Sequence, residues 1–175
     1  MANLADSGER REFSTGAVRD IAEGKGRCDL LPLEAIGVVY SDDFLDLIDR
    51  GIHRDPSYIR DAAGVFTKRH FKDENTALLE LAVHYEDGCK KYGERNWEKG
   101  IPVHCFIDSA IRHYLKLRRG DKDERHDRAV LWNLYGAIWT ILNHPELNDL
   151  PYKTEDKNVH PERTESTSPV GVRVE

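Results

Sequence analysis

The stretch DERHDRAVLWNLYGAIWTILN, Asp123 to Asn143, decides the fold. Stepped at about 100° per residue, Val130, Leu131, Trp132, Leu134, Tyr135, Ile138, Trp139, Ile141 and Leu142 cover most of a helix circumference. Only His126, Ala129, Asn133, Gly136 and Thr140 leave a narrow polar or small stripe. A helix apolar nearly all round is buried, in a core or at a subunit interface. Its polar stripe then either packs closely against a neighbour or lines a cavity. Asp121 or Asp123 caps its start, and a carboxylate at Glu124 or Asp127 suits the helix dipole.

Two more long helices precede it, from about Asn75 to Lys91 and from about Pro102 to Arg119, where Gly120 stops the chain. In the first, Leu78, Leu81, Ala82, Tyr85, Cys89 and Tyr92 form the expected buried stripe, with Leu79 and Val83 widening one edge. Glu80, His84 and Asp87 fall on the expected solvent side. Glu86 falls on the widened edge, where a desolvated carboxylate needs a cation or hydrogen-bond donors. It is either an ion-paired helix-edge residue or a metal ligand or catalytic base. In the second helix Ile107, Ala110, Ile111, Tyr114, Leu115 and Leu117 read as core. Asp108 and Arg112, four apart, are spaced for an ion pair, and His113 on the other edge reads as structural or solvated. Shorter helical segments lie between Leu33 and His70. No strand-period segment of useful length is visible. The expected fold is an all-α helical bundle with an irregular N-terminal arm.

The organisation expected is a flexible terminus at 1–12, one domain over 13–144 and a polar tail at 145–175. The tail is too poor in apolar residues to offset chain entropy and is expected to be disordered from about residue 153. The chain has 175 residues, 39% hydrophobic and 33% charged, with net charge -6. No apolar run approaches the roughly 20 residues a membrane span needs, and the first residues lack the apolar core of a signal peptide. Three cysteines without CxxC spacing suggest neither a disulfide framework nor a zinc site. A reducing, cytoplasmic setting is expected, in the host cytoplasm for a viral chain. Broad binding to nucleic-acid polymers, which needs a basic face, is disfavoured.

Inward carboxylates on antiparallel helices are the usual way for an all-α protein to hold Mg²⁺ or Mn²⁺, and such ions bridge phosphate oxygens. The candidate ligands are Glu86, Asp127, Glu124 and Asp108, with His126 as ligand or acid/base partner. Arg19, Lys25, Arg27, Asn96 and Lys99 are candidates for a phosphate path, with Arg112 and Asn133 as further substrate contacts. The connector YGERNWEKGIP, Tyr92 to Pro102, is richer in side chains than a turn requires. Its Trp97 and Tyr92 either stack on a base or plug the helix corner. His126-Asp127 also fits the metal-binding dipeptide of HD-type phosphohydrolases, with His84, His104 or His113 and Asp149 as the remaining nominees.

FSTGAVRD, GRCDLLP, HYEDGCKKYGERNWEKGIP, FIDSAIRHYLKL and HDRAVLWNL, in this order, resemble the phage-associated dATP/dGTP diphosphohydrolase family, a branch of the all-α, MazG-like nucleoside triphosphate pyrophosphohydrolases. The resemblance spans residues 13 to 144 and is carried chiefly by YGxxNWxxG and DSxxRH. It implies hydrolysis of a purine deoxynucleoside triphosphate, dGTP or dATP, to the monophosphate and pyrophosphate with Mg²⁺ or Mn²⁺. In phages that replace adenine by 2-aminoadenine, such an enzyme supplies dGMP and depletes dATP. It also implies a homodimer or homotetramer. Glu124 to Asp127 matches the superfamily's ExxD; its ExxE fails here, because Val83 stands three residues after Glu80. On this reading Glu86 and Asp127 hold the metal, His126 assists, Lys99 and Arg27 hold phosphates, and Asn96 with Trp97 shapes the base pocket.

Overall fold

A computed structural model describes residues 8–151. The expected tail beyond Pro151 and the first seven residues lie outside that range. Six helices follow a short N-terminal hairpin: α1 (Leu33–Tyr40), α2 (Asp43–His53), α3 (Ser57–His70), α4 (Glu74–Tyr92), α5 (Val103–Arg119) and α6 (His126–Asn143). The all-α expectation holds.

The centre is the α5–α6 hairpin, the most extensive helix pair in the molecule. Gly120 takes a left-handed φ of 88° and its N–H reaches the Lys116 and Leu117 carbonyls, which ends α5. The helices then approach closely at Gly136, where a Cβ would stand 2.4 Å from the Phe106 ring. Phe106, Ile107, Ile111, Leu131 and Leu134 are fully or almost fully buried along this seam. α2 and α3 close its other side through Phe44, Phe66 and Tyr114, with Phe44 centred 4.2 Å from Tyr114 and 5.6 Å from Phe66. Asp42 caps α2 by accepting from Leu45 N–H at 3.3 Å, and Asp73 caps α4 from Thr76 N–H at 2.7 Å.

The polar stripe of α6 faces inward, and its five residues are all buried. α6 starts at His126, three residues later than the carboxylate spacing suggests, so Glu124 belongs to the turn before it. In α4 the expected face holds in part: Leu81 is buried and Tyr85 packs against the core, but the widened edge turns outward. Leu78, Leu79 and Val83 are exposed by 52, 73 and 40%, whereas His84 is buried. Glu86 is exposed too, and pairs with Lys90, 2.6 Å away. α4 turns a mixed polar face to the interior because that interior is a cavity rather than an apolar core.

The N-terminal arm differs from the irregular segment expected. Arg10–Glu12 pairs antiparallel with Val18–Asp20, with Arg11 opposite Arg19. Three-residue strands are too short to show a period in sequence, and this pair is held from outside. The Asn96 side chain accepts from Val18 N–H at 2.9 Å and donates to Val18 C=O at 2.8 Å. Thr15 donates to Gly100 C=O at 2.5 Å, Lys99 to Gly16 C=O at 3.3 Å, and Tyr92 OH to Asp20 at 2.9 Å. YGERNWEKGIP is therefore the socket of the hairpin. After α6, Asp149 returns to the start of α5 and accepts from His104 N–H at 3.0 Å, satisfying a helix-terminal donor.

Candidate active site

The hairpin, α4, α5 and α6 enclose a cavity of about 340 Å³. Six Lys and Arg residues line it (Arg11, Arg19, Lys25, Lys91, Arg112 and Lys116) against three acids, Asp20, Asp108 and Glu124. The chain as a whole carries net charge -6. The cavity is thus a cationic pocket on an acidic protein, a distribution that draws anions to one place.

Arg19 is the deepest of these cations. Its guanidinium donates to Cys105 C=O at 3.2 Å, Ser109 Oγ at 3.2 Å and Asn133 Oδ1 at 2.9 Å, and lies over the Phe106 and Trp132 rings. All three acceptors are neutral. Burial pulls its pKa down to about 10. Burial also lowers Lys25, which has no ion pair among the described residues. Lys91, by contrast, is held by Asp20 at 2.7 Å, and Lys116 by Asp123 at 2.8 Å. Arg112 pairs with Asp108 as its spacing predicts, and also donates to the Gly26 carbonyl at 3.0 Å, fixing the loop that carries Lys25.

At one end of the cavity stands a His–Glu–His group. Glu124 Oε1 lies 3.1 Å from His113 Nδ1 and 3.5 Å from His126 Nδ1, and the two Nδ1 atoms are 3.0 Å apart. His126 Nε2 is 2.8 Å from Asp123 Oδ1. A carboxylate only accepts, so Asp123 fixes the proton on Nε2 and leaves the His126 Nδ1 lone pair facing His113 and Glu124. Burial lowers the His113 pKa. Burial also pushes Glu124 upward, but the His113 hydrogen bond and the charges of His113, His126 and Lys116 outweigh it and leave this carboxyl below its ordinary value. These three side chains could hold a metal ion. Two imidazoles and one carboxylate suit Mn²⁺ better than the all-oxygen preference of Mg²⁺.

His84, one of the residues placed on the solvent side by sequence, is buried at the cavity wall. Burial lowers its pKa to about 4, helped by His113. It is a neutral imidazole at pH 7.

Of the residues singled out by sequence, the cavity brings together Arg19, Lys25, Tyr92, Asn96, Asp108, Arg112, Glu124 and Asn133, with His126 directly behind Glu124. It does not bring in Glu86, for the reason given above. Asp127 is turned to Arg125, at 2.7 Å, and its carboxyl is lowered because Arg125 and Arg128 outweigh the effect of burial. Arg27 pairs with Asp29 at the surface. Trp97 plugs the helix corner, 4.8 Å from Trp139 and 5.5 Å from Tyr85 between ring centres. Lys99 serves the hairpin turn. The HD arrangement is not assembled: Asp149 pairs with His104 and Asp127 with Arg125, neither beside His126.

Lys91 and Lys116 carry no site expectation from sequence, and His84 and His113 carry one only through the HD-type alternative. A signal for His113 was present. It and His126 lie nearly equidistant from the Gly120 turn, and such positions face each other in a helical hairpin.

Residues 74–150 match the family model described as dATP/dGTP diphosphohydrolase, N-terminal. The matched segment runs from the start of α4 past the Asp149 contact, and supports the resemblance drawn from sequence. No curated protein and no solved structure matches the chain.

Proposed function

We propose that this chain is a metal-dependent pyrophosphohydrolase of purine deoxynucleoside triphosphates, dGTP or dATP, releasing the monophosphate and pyrophosphate. The observation that carries the reading is the concentration of cations around one cavity of a net acidic chain, with Arg19 half-buried and donating only to neutral acceptors among the described residues. A guanidinium so placed gains most from a phosphate oxygen, to which it can donate charge-assisted hydrogen bonds. The family description over residues 74–150 names the matching substrate class.

In this reading Arg19 and Lys25 hold the phosphate chain, and Arg112 keeps the Lys25 loop in register. Asn133 orients the Arg19 fork, and Trp132 and Tyr92 wall the cavity on the side of the hairpin. His84 receives the proton of the attacking water: it is uncharged at neutral pH, and bound phosphate raises its basicity. Glu124, His113 and His126 would hold the ion, Mn²⁺ in preference to Mg²⁺. When bound, a divalent ion neutralises phosphate charge and favours water attack at the α-phosphorus. Glu86, Asp127 and Asp108 have no part in this ligand set. Supply of dGMP for phage DNA containing 2-aminoadenine is the physiological role that accompanies the reading.

Self-association, as dimer or tetramer, is assigned to the exposed Leu78, Leu79 and Val83 stripe of α4, because the apolar surface of α6 is largely used within the chain. A second copy would cover that stripe, and light scattering of the purified chain reports the mass.

The deciding experiment incubates the protein with each dNTP and Mn²⁺ or Mg²⁺ and resolves the products. Monophosphate plus pyrophosphate is expected, with dGTP and dATP ahead of the pyrimidines. Nucleoside plus tripolyphosphate would instead establish the HD-type reaction. Tight nucleotide binding without turnover would make the bundle a nucleotide-binding module.

A further inference from the structure

α5 opens with a Cys–His pair that the proposed reaction does not use. Cys105 Sγ lies 3.3 Å from His104 Nε2, and His104 Nδ1 is hydrogen-bonded to the Asp149 carboxylate. Asp149 also accepts from the His104 backbone N–H at 3.0 Å, so it is anchored at two points. A carboxylate cannot donate, so the ring proton sits on Nδ1 and the Nε2 lone pair is turned to the thiol. This is the order of roles in an activated-nucleophile array: carboxylate, imidazole, thiol.

The surroundings favour the charge-separated form. Cys105 is the third residue of α5, where the helix N-terminus stabilises negative charge. Burial pushes its thiol up, but the His104 hydrogen bond and the positive charges of His104, Arg11 and Arg19 outweigh it, and the thiol lies below its ordinary value. His104 is raised to about 10, first by its bond to Asp149 and then by its bond to Cys105. Cys28 is the opposite case, since burial raises its thiol. Cys105 is 2% exposed, yet it borders a second cavity, about 480 Å³, with His104, Arg11, Arg27 and the Gly24–Gly26 loop. A small polar reagent can reach the sulfur there more readily than a bulky one.

We propose that Cys105 is a modification site: a thiolate formed by proton transfer to His104 within the Asp149–His104–Cys105 array, which a hydroperoxide entering the second cavity oxidises to the sulfenic acid. The thiolate sulfur attacks one peroxide oxygen; the S–O bond forms as the O–O bond breaks. Sulfur is oxidised by two electrons and the peroxide is reduced. The departing oxygen takes the proton held on His104 Nε2 and leaves as water or alcohol.

The test exposes the full chain to hydrogen peroxide, traps sulfenic acid with dimedone and maps the adduct by peptide mass spectrometry. The adduct is expected on Cys105 ahead of Cys28 and Cys89. His104→Gln and Asp149→Asn should each slow labelling at pH 6.5 by about tenfold, as the thiol returns toward its ordinary range. A second measurement needs no variant. The alkylation rate of Cys105 by iodoacetamide in the wild type should rise less steeply between pH 6 and 8 than that of an ordinary thiol, which gains about tenfold per unit. Adducts confined to Cys28 or Cys89, variants that label at the wild-type rate, or an ordinary wild-type profile would each overturn the proposal.

Discussion

At the scale of single residues, the site turns on two groups whose surroundings do not match their charge. Arg19 is desolvated but meets only neutral acceptors. Replacing it by Gln keeps two donors and removes the charge. Losing a charge-assisted contact worth about 1.5–3 kcal/mol should lower kcat/KM by roughly 10- to 150-fold. Most of the loss should fall on KM, since the contact is made to the bound ground state as well; pyrophosphate affinity by calorimetry should fall in parallel. Glu124 sits between two imidazole nitrogens. Glu124→Gln should weaken Mn²⁺ binding, followed by electron paramagnetic resonance, by at least about 100-fold, more than loss of an outer-shell partner costs; Glu86→Gln should leave it unchanged. Arg19, Lys25, Glu124, His126 and Asn133 are legible in the sequence as site residues because their types suit phosphate or metal. Glu86 reads as one too, because a carboxylate on an apolar edge resembles a ligand until the helix is known to present that edge to water.

At the scale of elements, α6 and α4 show why one helix was legible and the other was not. Nearly every position of α6 is apolar, so its few polar and small residues could only face its closest neighbours, and they do. α4 is more balanced. Leu81 and Tyr85 face inward as expected, but Leu78, Leu79 and Val83 are exposed, while His84, Gly88 and Lys91 border the cavity. Amphipathicity finds the face that avoids water in a core, and gives the wrong face when the interior is a polar pocket. The Tyr92–Pro102 connector is legible as unusual, and beside the cavity wall expected of it, its Asn96 holds the hairpin. The expectation that Asn96 shapes the base pocket implies that Asn96→Ala harms substrate selection and spares folding. The two bonds of Asn96 to the Val18 backbone imply otherwise. Removing them should cost about 1–3 kcal/mol and loosen the hairpin that carries Arg19. Hydrogen exchange at Val18–Asp20 should accelerate in Asn96→Ala, and activity on dGTP and dATP should fall together rather than selectively.

At the scale of the whole molecule, two histidines with opposite environments contribute to opposite limbs of the pH dependence of stability, and burial of His113 adds to the acid one. His84 has a folded pKa of about 4 against an ordinary 6.5. The unfolded chain therefore binds the extra proton between those values. The stability His84 contributes is complete above pH 6.5 and is lost as pH falls toward 4, by on the order of 3 kcal/mol. The groups that act on it from other elements are His113, Glu124 and Arg128, with Asp87 from its own helix; Glu124 and Asp87 oppose the shift without reversing it. His104 is the mirror case, raised to about 10 by Asp149 and Cys105. Its contribution is complete below pH 6.5 and is lost as pH rises through 10; its partial exposure makes this the smaller limb. Neither environment could be read from sequence: His84 owes its burial to the cavity that α4 borders, and His104 its partner to a residue 45 positions away. Thermal melting across pH 4.5 to 10 should show a maximum near pH 6.5. His84→Asn should make the acid limb shallower and leave the alkaline one, and His104→Asn should do the reverse. An acid limb unchanged in His84→Asn would mean that this ring is solvated in the folded protein, and that the cavity wall it forms is open to water.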